Sequence, residues 1–148
     1  MIYQGRSGGV LWIDPTADAL GPERTEFDPD IVAVQEIDCH RPRSGGHDQA
    51  QLIADHLGMS HVFQAMFEEE KERYGIAIFS NHPMEIIKAA NLTEADPKRF
   101  REAHGAIWVK VTPDDGMTPY HFINTHFGLG RVERQRQMQT LAGPEWLG

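Results

Sequence analysis

Apolar residues recur along this chain in two rhythms. In residues 30–35, DIVAVQ, β-branched and small apolar side chains follow one another without a break, the pattern of a strand buried on both faces. Residues 48–57, DQAQLIADHL, take up helical spacing with Leu52, Ile53 and Leu57 on one face, and Gly58 supplies a C-terminal stop. Strand-like runs follow at 61–67 (HVFQAMF), 74–80 (YGIAIFS), 85–92 (EIIKAANL), 106–111 (AIWVKV) and 120–127 (YHFINTHF). Asn81-His82-Pro83 and Asp114-Asp115-Gly116 mark turns, and a final helix is expected from about Val132 to Ala142. Strands in succession between two helices predict an α+β, layered α/β sandwich and not a strict βαβ alternation.

Composition narrows the class. A chain of 148 residues that is 40% hydrophobic can bury one real core, so a single domain is expected. No apolar run approaches the ~20 residues of a membrane span, and the opening MIYQGRSGG lacks the charged and apolar regions of a signal peptide. The expectation is a soluble chain with no transmembrane segment and a cytoplasmic location. The one cysteine, Cys39, rules out an internal disulfide. Fourteen basic against twenty-two acidic residues give a net charge of −8, which opposes broad phosphate-backbone binding and favours a small partner over a large nucleic acid. The EEEKE run at 68–72 reads as a solvated turn or helix end.

Two stretches carry candidate chemistry. Ligands of open α/β sheets sit beyond the carboxyl ends of strands, and Glu36, preceded by Gln35, directly follows the first apolar run. A hard cation such as Mg²⁺ takes oxygen ligands and needs only one or two carboxylates beside water and substrate phosphate. On local pattern alone Glu36 is equally a strand-end carboxylate paired with an arginine. In INTHFGLGRVERQRQ, residues 123–137, Asn124, Thr125 and His126 end a strand, and Arg131, Arg134 and Gln135 open a helix beyond a glycine-bearing loop. A histidine so placed can hydrogen-bond a phosphate oxygen or orient a water, or can simply be satisfied by a backbone carbonyl. The eight histidines, at 40, 47, 56, 61, 82, 104, 121 and 126, show none of the tight spacings of zinc sites.

Taken in order and at these distances, PDIVAVQEID, YGIAIFSNHPM, GAIWVKV and HFINTHFGLGRVERQRQ resemble the endonuclease/exonuclease/phosphatase superfamily of metal-dependent phosphoesterases, over roughly residues 28–141. The resemblance implies a layered α/β/β/α sandwich and hydrolysis of a phosphodiester or phosphomonoester by in-line attack of water. It implies that Glu36 ligates Mg²⁺ or Mn²⁺ with Gln35 beside it, and that His126 contacts the scissile phosphate with Asn124 and Thr125 as its neighbours. Tyr74, Gly75 and Ser80 match the family's Tyr-Gly and Ser-x-x-Pro strand. Arg134 and Gln135 resemble its Arg-x-x-Gln region. Gln35, Tyr74, His104 and Arg131 are the expected supporting or substrate-side positions, and the substrate expected is a small or lipid-derived phosphoester.

The departures from that pattern are equally specific. The family's opening strand, which ends in an asparagine, is not expected before Met1-Ile2-Tyr3. Its Asp-x-Asn pair and Ser-Asp-His triplet do not follow the Asn-Thr-His element, and these motifs leave no general base. Where relatives often show Glu-Pro-Arg-Gly-Ala, residues 102–106 read Glu-Ala-His-Gly-Ala, and Gly21-Pro22 falls where a helix would stand. These differences predict that residues 1–148 are a single truncated domain, the first half to two thirds of the sandwich. Such a piece would expose an apolar sheet face and an unpaired edge, available to a second copy of the chain. The competing expectation is an inactive binding or assembly module built on the same half-sandwich.

Overall fold

A computed structural model describes residues 2–3, 29–93, 103–114 and 116–148. Gly21-Pro22 and Glu102, both singled out in the sequence, lie outside these residues.

Two antiparallel sheets face one another. The first contains β1 (Ile2–Tyr3), β2 (Ile31–Cys39), β3 (Ser60–Glu69) and β4 (Glu72–Ser80) in the order β1-β2-β4-β3. The second contains β5 (Met84–Thr93), β6 (His104–Val111) and β7 (Tyr120–Thr125) in chain order. Helix α1 (Gln49–Leu57) packs on the outer face of the first sheet, and α2 (Arg131–Leu141) follows β7 and lies beside β5. This is the layered α/β/β/α sandwich expected from the sequence. The opening residues do form a short strand, β1, paired antiparallel with Val32 and Ala33, contrary to the expectation of none there.

The central strands explain the unbroken apolar runs. Ile76, Ala77, Ile78 and Phe79 of β4 are fully buried because each face meets a separate core. On one side Val32, Val34, Ile37, Ala77 and Phe79 pack against Ala50, Ile53, Ala54 and Leu57 of α1. On the other, Ile31, Ile76 and Ile78 pack against Ile107, Val109 and Val111 of β6. Fully burying one such side chain contributes roughly 1.5–3 kcal/mol relative to exposure.

Two local expectations change. In α1 the buried stripe is Ala50, Ile53, Ala54 and Leu57, whereas Leu52 stays 48% exposed. Counting alanine as apolar restores the i, i+3, i+4, i+7 spacing that picking the large residues had missed. The helix starts where Asp48 accepts the Gln51 N–H and ends at Gly58, whose φ of 62° suits glycine. Strand β2, expected to end at Gln35, continues to Cys39 through a bulge: Val34 faces Ala77 and Ile37 faces Gly75, so β2 carries one extra residue. Ile37 and Cys39, both buried, resume the α1-facing side beyond it. The acidic run forms the solvated β3–β4 hairpin tip, with Glu70 at φ 53°.

Cys39 is inert by construction of its surroundings. Burial, followed by its hydrogen bond to Asp48 Oδ1 (3.2 Å), pushes its thiol up to about 12. At pH 8 the thiolate fraction is then about 10⁻⁴, against roughly a quarter for a free cysteine. Native protein is expected to resist iodoacetamide at pH 8 while urea-unfolded protein is labelled within minutes; labelling of the native form at the unfolded rate would contradict the buried placement.

Candidate active site

The β2 bulge is where the two sheets are stitched together. Glu36 adopts φ 61°, a left-handed conformation that a side-chain-bearing residue rarely takes. The extra residue turns Gln35 and Glu36 towards the end of β7. Gln35 Nε2 donates to the Thr125 carbonyl. Glu36 Oε1 lies 3.5 Å from His126 Nε2, with the glutamate side chain 64% exposed and the histidine 17%. Glu36 therefore sits inside a strand, not beyond its carboxyl end as the sequence suggested, and the bulge does the work of presenting it.

Asn124 secures this arrangement from the opposite sheet. It is buried, and its Nδ2 donates to the carbonyls of Val34 (3.0 Å) and Ala77 (2.9 Å), the pair at which the ladder breaks. Its amide nitrogen is thus committed to backbone. The neighbouring Thr125 Oγ1 and His126 N both donate to the Gly105 carbonyl at 3.1 Å, fixing the end of β7 on β6. Leaving a buried carbonyl unpaired costs about 1–3 kcal/mol, so Asn124→Ala is expected to lower unfolding stability by about 2 kcal/mol in urea titrations. An unchanged midpoint would show that the amide does not hold the sheets.

The remaining expected residues separate into distinct surroundings. His104, at the start of β6, stands edge-on to His126 with ring centroids 5.3 Å apart. Tyr74 faces Asp38 across β2 and β4 and belongs to the core between the sheets. Arg41 and Arg43 lie over its ring, 5.8 and 5.3 Å from the centroid, and Arg43 holds Asp38 through two hydrogen bonds of 2.7 Å. Those arginines are engaged within the fold. Arg131 lines an open hollow of about 580 Å³ with Arg134, Gln135, Met138, Gln139 and Ala142; neither Glu36 nor His126 lines it.

Helix α2 contains what the sequence reading missed. It has no apolar stripe; its buried side chains are Glu133 and Gln137, one turn apart. Gln137 donates to Thr93 Oγ1 (3.0 Å) and Glu133 Oε1 (3.4 Å) and accepts the Gly128 N–H (2.9 Å). Arg134 reaches back to the carbonyls of Gly128 and Leu129. Gln135, taken as the glutamine of the Arg-x-x-Gln region, is exposed. Strict counting from Arg134 lands on Gln137, and that spacing was the signal available.

Among the described residues no group of three or more His, Cys, Asp or Glu is arranged as a metal cage. Glu36 still offers what a hard cation requires of a protein that supplies few ligands: a solvent-open carboxylate on a rigid strand, beside a histidine able to meet the same substrate.

The Endonuclease/Exonuclease/phosphatase family model matches residues 8–142, and the chain belongs to that family. No curated protein matches it. Its fold is similar to that of an endonuclease/exonuclease/phosphatase from Beutenbergia cavernae, at TM-score 0.58 and 18% identity, covering 95% of this chain and 40% of that one. A functionally unknown conserved protein from Enterococcus faecalis gives TM-score 0.57 and 18% identity, covering 78% and 46%. A mannosyl-6-phosphatase from Bacteroides thetaiotaomicron gives TM-score 0.56 and 18% identity, covering 82% and 49%. The chain thus spans less than half the length of these solved relatives.

Proposed function

We propose that these residues form the metal-holding half of a phosphoesterase that hydrolyses a small or lipid-derived phosphodiester or phosphomonoester by direct attack of water. The observation that carries this reading is the Glu36–His126 contact, made by a left-handed bulge residue that the fold would otherwise have no reason to keep. Family membership supports phosphoester hydrolysis as the general chemistry.

In this reading Glu36 holds Mg²⁺ or Mn²⁺ through its carboxylate. When bound, the cation supplies Lewis-acid stabilisation of charge on phosphoryl oxygens and a more acidic water. His126 donates a hydrogen bond to a phosphate oxygen from the adjoining side. Gln35 and Asn124 keep the bulge and the end of β7 in register, so that carboxylate and imidazole face one substrate group. The net charge of −8 favours a compact phosphoester over a polynucleotide. Among the described residues no helix is long and apolar enough to cross a membrane, and we place the reaction in the cytoplasm. Full activity is assigned to a protein that also includes the family domain not covered here, and the exposed sheet of the isolated chain to pairing with a second copy.

The test is hydrolysis of bis-para-nitrophenyl phosphate and its monoester with and without Mg²⁺, using this chain, a form extended along the reading frame, and Glu36→Gln and His126→Gln in the active form. Removing a single preorganised charge-stabilising donor typically costs about 10²–10³ in rate, and losses of that size are expected for both variants. Metal-dependent turnover that survives Glu36→Gln would sink the assignment. If every form is inert while the chain is a stable dimer by sedimentation, the binding-module reading replaces it.

A further inference from the structure

Behind His126, on the side away from Glu36, lies a polar group that the proposed reaction does not use. His104 Nδ1 is 3.6 Å from Glu133 Oε1, and both side chains are about a tenth exposed, at 11% and 10%. A carboxylate in such a position is tolerated only when it is paired and hydrogen-bonded. The hydrogen bond comes from Gln137 Nε2, itself held by Thr93 Oγ1, and the fit is close: a Cβ on Gly128 would lie 2.4 Å from Glu133 Oε2. Arg134, the nearest arginine on the same helix, is turned to the carbonyls of Gly128 and Leu129. His104 is therefore the basic group that faces Glu133. Its ring meets that of His126 edge-on, at 70° between planes. Glu36, His126, His104 and Glu133 form one line running from solvent into the protein.

We propose that Glu133 and His104 are positioning residues for His126. The buried carboxylate fixes the Nδ1 side of His104, and the ring so fixed sets the angle at which His126 presents Nε2 to Glu36 and the substrate. Two features favour this over a simple tie between α2 and β6. A tie would be served by an apolar pair at positions 104 and 133 with less desolvation, and the contact ends on the ring of the histidine that faces Glu36. The catalytic consequence rests on the function proposed above; the geometric one does not.

The test follows the His126 ring directly. In ¹H–¹³C spectra of the histidine Cε1–H groups, the His126 signal is assigned by its loss in His126→Gln and then followed in Glu133→Gln and His104→Phe. Each is expected to move the His126 signal while the methyl spectrum and the thermal midpoint stay in place. In the active form, each is expected to lower kcat roughly tenfold with KM unchanged, the lower end of what loss of a supporting partner costs. Because the two residues act as a unit, the double variant is expected to be no slower than either single one. An unmoved His126 signal, or losses that multiply, would overturn the proposal. Should either variant fold poorly, Glu133→Asp and His104→Asn make the same comparison under milder change. If Glu36→Gln and His126→Gln leave hydrolysis untouched, the phosphoesterase reading fails while the spectra still decide whether Glu133 and His104 orient His126.

Discussion

Gly75→Ala is expected to destabilise the chain by about 3 kcal/mol or more, among the larger effects a single methyl group can have. A Cβ at this position would lie 1.9 Å from the Gln64 carbonyl oxygen and 2.9 Å from its carbon, both backbone atoms that cannot rotate away. The crowding has a definite origin. Gly75 sits in β4 between two irregular neighbours: the β2 bulge, where register slips between Val34 and Ile37, and a second slip in β3 between Ala65 and Phe67. Two bulges converge on one residue, and only a bare backbone fits between them. Gly58→Ala is the control, because Gly58 has φ 62° but nothing within 4 Å of a Cβ. It should cost about 1 kcal/mol, from conformation alone. Urea unfolding followed by tryptophan fluorescence measures both. A loss at Gly75 no greater than at Gly58 would show that β3 and β4 can separate, and that the bulge presenting Glu36 is not locked from behind.

That contrast also shows what the chain makes legible and what it hides. Apolar runs such as IVAV and GIAIF are long enough, and rich enough in β-branched residues, to identify central strands without any partner in view. The bulge was hidden because a left-handed φ at Glu36 is not a property of glutamate; it is imposed by the pairing of Val34 with Ala77 and of Ile37 with Gly75. Glu36 and His126 were legible as motif residues, yet their contact depends on how two sheets stack, which local periodicity does not encode. Glu133 and Gln137 were harder still. In a helix that is polar nearly all round, burial follows from Thr93, Gly128 and His104 gathering on one side, and an amphipathic pattern has nothing to report.

Glu36→Gly is expected to separate stability from function in opposite directions. Holding a side-chain-bearing residue left-handed costs roughly 1–2 kcal/mol, a penalty glycine does not carry. Glycine also gives the unfolded chain more freedom, which offsets about 0.4–1 kcal/mol of that gain. The Glu36 side chain is 64% exposed, and its contact with His126 is open to solvent, so little packing is lost with it. The sum favours a variant more stable than the parent by about 0.5 kcal/mol. Metal-dependent hydrolysis in the active form should meanwhile fall by about 10² or more, since the proposed ligand is gone. Glu36→Asn refines the comparison, because asparagine tolerates the left-handed region and offers a neutral oxygen; stability should hold while turnover still collapses. A glycine variant that is less stable than the parent would mean that Glu36 stabilises the fold through its side chain. The bulge would then be an architectural feature, and the strained residue would no longer point to a catalytic role. A variant both more stable and inactive would show a conformational cost maintained for the sake of one carboxylate, as expected where backbone strain is kept at a functional site.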